Sequence, residues 1–87
     1  MEGYCFLCGR YGTMEMHHVF NGALKRKSER YGAVVPLCHS CHNEPPEGVH
    51  FNVENAKALK QALQGKIMQE QGWGIEDWLA VFGKNYI

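Results

Sequence analysis

The period of apolar and polar positions changes along this chain from strand-like to helical, and the changes mark out its elements. A short apolar-rich run, Met14-Glu15-Met16-His17-His18-Val19-Phe20, reads as a strand, and a stretch punctuated by Gly9 and Gly12 reads as the turn before it. Asn21-Gly22 is a strong turn dipeptide, and the polar, basic segment from 23 to 30 fits a loop or one short helix. Ala33-Val34-Val35-Pro36-Leu37 reads as a second strand, with Pro36 placing it at an edge or outside the hydrogen-bonded ladder. A helical turn then starts over 38–43, and Pro45-Pro46 interrupts or bends it.

Beyond that bend the period is helical. Asn52 is placed to cap a long helix from about 53 to 71, on which Ala56, Leu59, Leu63 and Ile67 share one face. Lys57, Lys60, Gln64 and Glu70 fall largely off that face. Gly72 or Gly74 ends the helix, and a last short helix over 75–82 presents Ile75, Trp78, Leu79 and Phe82 on one side. Trp73 and Trp78 read as packing residues. Together the elements give an α+β fold in one domain, 1–87, with a two-stranded N-terminal part to about residue 52 and a helical extension over 53–87.

An 87-residue chain buries too little surface to be comfortably stable on its core alone, so a staple is expected. The four cysteines form two Cys-x-x-Cys pairs, Cys5/Cys8 and Cys38/Cys41. The N-terminus has neither the basic nor the apolar part of a secretory signal, and no apolar run approaches the roughly 18 residues of a membrane span. No membrane partner and a reducing, cytoplasmic compartment are therefore expected, where such pairs read as metal ligands. Four thiolates close a tetrahedral zinc site with no position open to water, so this zinc is structural and supplies folding free energy. It would clamp the N-terminal turn onto the junction at Cys38 and Cys41, bringing His17 and His18 near His42. A redox protein would instead need one reactive Cys-x-x-Cys pair.

The formal net charge is zero, nine basic against nine acidic side chains, so overall charge does not argue for nucleic acid. The basic residues are clustered instead: Lys25, Arg26, Lys27 and Arg30 lie within six positions, which equally suits a solvated helix face. Five histidines is a high count for this length. His17 and His18 adjoin in a short strand, so their side chains point to opposite faces or splay at its end. His39 lies inside the second Cys-x-x-Cys turn and reads as exposed, His42 follows the last cysteine, and His50 lies beyond the Pro-Pro bend. Taken singly, each fits an ordinary surface or hydrogen-bonded histidine.

In combination they are more specific. A strand with paired histidines, a basic connector, a second strand and Cys-x-x-Cys-His before a helix resembles the HNH (ββα-metal) endonuclease family. The matching text is Met16-His17-His18-Val19-Phe20 and Val34-Val35-Pro36-Leu37-Cys38-His39-Ser40-Cys41-His42, and the resemblance covers residues 4 to about 52. The cysteine pairs match the family's zinc-containing branch, and the run from His17 to Phe51 is similar to small HNH proteins carried by prophages. The resemblance implies a ββα-metal core stapled by zinc. It implies that His17 and His42 bind a catalytic divalent metal, with His50 an additional or competing ligand, and that His18 is the general base.

The family's middle asparagine has no counterpart, since Tyr31-Gly32-Ala33 stands where it is usual, and Asn21 and Asn43 are the nearest amides. That leaves the brace of His18 unassigned. A neutral imidazole near its ordinary pKa of about 6.5 can take a proton from water at neutral pH. A divalent ion on imidazoles acts as Lewis acid and template at a phosphodiester. Imidazole ligands favour Mn²⁺, Ni²⁺ or Zn²⁺ over Mg²⁺. DNA is the implied partner, nicked with little sequence specificity, and Lys25, Arg26, Lys27 and Arg30 would contact flanking phosphates. Competing readings are a non-catalytic zinc-ribbon binding module and a homodimer formed through the C-terminal apolar helices.

Overall fold

The two shortest strands lie where the apolar pattern marks only a turn. In the computed structural model, which describes residues 1–87, β1 (Glu2–Tyr4) and β2 (Tyr11–Thr13) form an antiparallel hairpin with Glu2 opposite Thr13 and Tyr4 opposite Tyr11. Three-residue strands are too short to show an alternation, so the hairpin has no sequence signature of its own. Gly12, expected in the turn, is a strand residue opposite Gly3. The true turn is closed by backbone bonds, Cys5 N–H to the Arg10 carbonyl and Gly9 N–H to the Cys5 carbonyl, both 2.9 Å. Gly9 has φ of 76°, a left-handed conformation that suits glycine.

The expected strand pair forms with tighter bounds. Strand β3 (Glu15–His18) pairs antiparallel with β4 (Val34–Leu37), His17 opposite Val35 and His18 opposite Val34. Each sheet has only these two strands, so Pro36 breaks no continuous ladder; its carbonyl accepts from Phe6 N–H at 2.8 Å and ties the first hairpin to β4. The basic connector is a 3₁₀ turn (Gly22–Leu24) running into α1 (Lys25–Tyr31). Ser28 folds it back: its buried hydroxyl donates to the Phe20 carbonyl at 2.7 Å and accepts from Phe20 N–H at 3.0 Å.

Helix α2 (His39–Asn43) follows β4 directly. Helix α3 (Val53–Gln71) starts at Asn52, whose side chain accepts from Asn55 N–H at 2.9 Å, and stops at the left-handed Gly72. Gly74 precedes α4 (Ile75–Phe82). No helix is long and apolar enough to cross a membrane. Leu59, Leu63 and Ile67 are buried as their spacing predicts, but Gln64 is buried with them. Its amide is fully engaged: the nitrogen donates to Asn85 Oδ1 at 2.8 Å, and the oxygen accepts from Tyr86 N–H at 2.8 Å. On α4 only Trp78 and Phe82 are buried; Ile75 and Leu79 are exposed.

One core joins the strand pair to the helices. Phe20, just past β3, has its ring centroid 5.5 Å from Trp78 and 5.0 Å from Phe82, and those two rings stack at 4.0 Å. Burying each such side chain stabilises the fold by roughly 1.5–3 kcal/mol. Trp73 packs on Tyr31, with centroids 5.1 Å apart. The helical extension thus fixes the end of β3, the strand that carries both paired histidines.

Candidate metal centres

The first centre is made where the N-terminal hairpin meets the β4–α2 junction. Cys5, Cys8, Cys38 and Cys41 place their sulfurs within 4.8 Å of one another. A tetrahedron with Zn–S bonds of about 2.3 Å has edges of about 3.8 Å. The Sγ atoms of Cys8 and Cys38 are 3.8 Å apart, so the set fits the ion. Cys8 N–H donates to Cys5 Sγ at 3.5 Å, as a thiolate in a metal knuckle requires.

The four thiols influence one another's ionisation. Burial pushes the Cys5 thiol up, but the N–H groups of Cys8, Cys38 and Leu7 outweigh it and bring it down to about 6. Cys41 moves the other way, raised by burial and by its hydrogen bonds to the other three sulfurs. Four neighbouring thiols cannot all ionise without a positive ion among them. The four cysteines are positioned to hold a metal ion, in keeping with structural zinc.

The second centre uses the buried face of β3. His17 is 7 % exposed, and its ring centroid lies 5.0 Å from His42 and 5.2 Å from His50. One nitrogen from each of the three rings falls within 4.8 Å of the others. Burial, and then the charges of His42, His50, His18 and Lys60, push His17 down to about 4, so its ring is neutral at neutral pH. The Nε2 atoms of His42 and His50 are 3.1 Å apart. Two imidazole nitrogens at that separation need a shared proton or a cation between them. For metal–nitrogen bonds of about 2.1 Å the ligand edge is about 3.0 Å in an octahedron and about 3.4 Å in a tetrahedron, and the His42–His50 separation falls between the two.

His50 reaches the cluster because the chain after α2 folds back on it. Gly48 N–H donates to the Glu44 carbonyl at 2.7 Å, Val49 N–H to Cys41 at 2.8 Å and His50 N–H to His42 at 3.3 Å. Gly48 is required: a Cβ there would lie 2.6 Å from the Glu44 carbonyl oxygen.

A carboxylate that the sequence reading passed over orients this centre. Glu15 accepts from His42 Nδ1 at 2.7 Å, from His39 Nδ1 at 2.9 Å and from the Asn43 amide at 2.9 Å. These bonds hold its carboxyl down at about 2, and the same pairing raises the exposed His39. Fixing the proton on His42 Nδ1 turns Nε2 toward His17 and His50, the arrangement common to metal-bound histidines. The signal was in the strand period: Glu15 and His17 are two apart and share one face.

His18 lies outside the cluster, on the other side of β3. Its Nε2 is held by Glu29 Oε1 at 2.9 Å, and the side chain keeps 23 % exposure. Glu29 is thus the side chain that holds the His18 ring, while Asn43 sits against Glu15. No family model, curated protein or solved structure matches this chain.

The basic cluster is split in its use. Lys27 Nζ donates to the Val81 carbonyl near the end of α4, and the Arg30 guanidinium lies 5.5 Å from the Tyr31 ring centroid. Lys25 and Arg26 are exposed on α1, the helix that also carries Glu29.

Proposed function

We propose that this chain is a metal-dependent endonuclease of the HNH (ββα-metal) type that hydrolyses phosphodiester bonds in DNA. The observation that carries the reading is the convergence of His17, His42 and His50 in an open cluster, separate from the closed cysteine site. A purely structural zinc domain has no use for a second set of ligands. The strand–strand–helix order of β3, β4 and α2, which presents His17 and His42, supports the same reading.

In this reading His17, His42 and His50 would hold the divalent ion. When bound, the ion supplies Lewis acidity at the phosphate and at the leaving 3′ oxygen. Glu15 keeps the His42 ring turned for that ligation. His18 removes a proton from the attacking water, and Glu29 is a positioning residue that fixes its ring. Lys25 and Arg26 hold flanking phosphates without reading sequence. An all-imidazole set favours Mn²⁺, Ni²⁺ or Zn²⁺ over Mg²⁺. One such centre nicks a single strand.

The test is relaxation of supercoiled plasmid with Mn²⁺, Ni²⁺ or Mg²⁺ added to the zinc-loaded protein, beside His18→Ala with unchanged zinc content. Nicked circles that need the added metal and fall by 10²–10⁴-fold in the variant support the reading. Equal inertness of both, with zinc retained, returns the chain to a zinc-ribbon binding module.

A further inference from the structure

The molecule has one cavity, of about 720 Å³, between the start of α3 and the residues that follow α4. It adjoins the histidine cluster, because His50 lines it, yet none of the roles above uses it. Its charge is one-sided: Lys57, Lys60 and Lys84 line it, and no aspartate or glutamate side chain does. In a chain with nine basic and nine acidic side chains, three unopposed lysines in the only cavity are a concentration that mean charge conceals.

The lysines are arranged around an aromatic floor. Lys57 and Lys60 are three residues apart and share one side of α3. The Nζ atoms of Lys60 and Lys84 each lie 5.6 Å from the Tyr86 ring centroid. Next to His50, Phe51 lines the cavity and is 61 % exposed, although nothing in the core requires a phenylalanine there. A positive groove with an exposed aromatic is the chemistry that holds unpaired nucleotides. The cavity has the size of a small-ligand site, which admits unstacked nucleotides and not a duplex.

We propose that this cavity binds a single-stranded stretch of nucleic acid running from the histidine cluster, its phosphates on Lys57, Lys60 and Lys84 and an unpaired base stacked on Phe51. The proposal rests on the nuclease reading for what lies at the His50 end. It adds the substrate class: a strand unpaired beside the cut, in place of continuous duplex.

The test reads binding without cleavage. Fluorescence anisotropy of a labelled single-stranded oligonucleotide of about 12 nucleotides, within the span such grooves cover, is followed against salt with zinc-loaded full chain and no second metal. The proteins compared are wild type, the triple variant Lys57→Gln/Lys60→Gln/Lys84→Gln, and Phe51→Ala, each checked for zinc content and helicity. The triple variant is expected to lose at least tenfold in affinity, and its plot of log K against log salt to flatten by about 2. Phe51→Ala is expected to lose about tenfold with the salt slope unchanged. Matched DNA and RNA oligonucleotides show which backbone is preferred, and an unlabelled duplex should compete less well than the single strand.

Wild-type affinity and slope in the triple variant, or better competition by duplex, would overturn the proposal. Wild-type protein that binds in this lysine-dependent way but, with Mn²⁺ or Ni²⁺ added, cuts neither plasmid nor the labelled single strand keeps the cavity assignment and removes the nuclease reading. Protein that nicks while the groove variants bind unchanged does the reverse.

Discussion

Glu15 shows how much one side chain decides at this site. It touches no reacting group, yet it fixes the tautomer of His42 and gathers His39 and Asn43 around the same carboxylate. Glu15→Gln keeps the shape and replaces one acceptor oxygen by a donor. It is expected to weaken binding of Mn²⁺ or Co²⁺ at the histidine cluster by 10–100-fold, read by calorimetric titration of the zinc-loaded protein, with zinc content unchanged. His17 sets an acid dependence. Its folded pKa of about 4 lies below the ordinary 6.5, so on acidification the unfolded chain takes up the proton first. Its contribution to stability is therefore full above pH 6.5 and is lost as pH falls toward 4. Urea unfolding of zinc-loaded protein across that window should show this slope in wild type, and a shallower one in His17→Gln.

Among the elements, the fold-back of residues 44–50 onto α2 has the clearest consequence. Three backbone bonds align it, and Gly48 allows the approach. Gly48→Ala forces the new methyl group against the backbone of Glu44, which must move. The expected result is a loss of about 1–3 kcal/mol in stability by chemical unfolding. Because His50 follows two residues later, the same variant is expected to lose affinity for the second metal while the cysteine site keeps its zinc. Intact second-metal affinity in a destabilised variant would show that His50 is not a ligand.

On the scale of the whole molecule, the cysteine site joins what the strands alone do not. The first hairpin, the residue between β4 and α2, and α2 itself each supply part of it, and α2 also carries His42 of the histidine cluster. Stripping the zinc with a strong chelator is expected to abolish cooperative thermal unfolding and to shift Trp78 fluorescence to the red, since that ring is fully buried in the folded chain. Native-like fluorescence and a retained transition after verified zinc loss would show that the aromatic core around Phe20, Trp78 and Phe82 suffices by itself.

The chain's own pattern determined what depends on local period and local chemistry. The long helix and the last helix lie where their apolar spacing, Asn52 and Gly72 put them, and the strand pair carrying His17 and Val35 follows its short apolar runs. The doubled Cys-x-x-Cys spacing is itself a ligand set, because each turn aims two sulfurs at one point. Only the tertiary structure decided the pairings between segments distant in sequence. Glu29 meets His18 across 11 positions, and Glu15 meets His42 across 27. Gln64 is buried against the period of its helix because Asn85 and Tyr86 satisfy its amide. The lysine-lined cavity needs residues from α3 and from the end of the chain. Such contacts join groups whose spacing along the chain carries no period, so they become legible only when packing has brought the elements together.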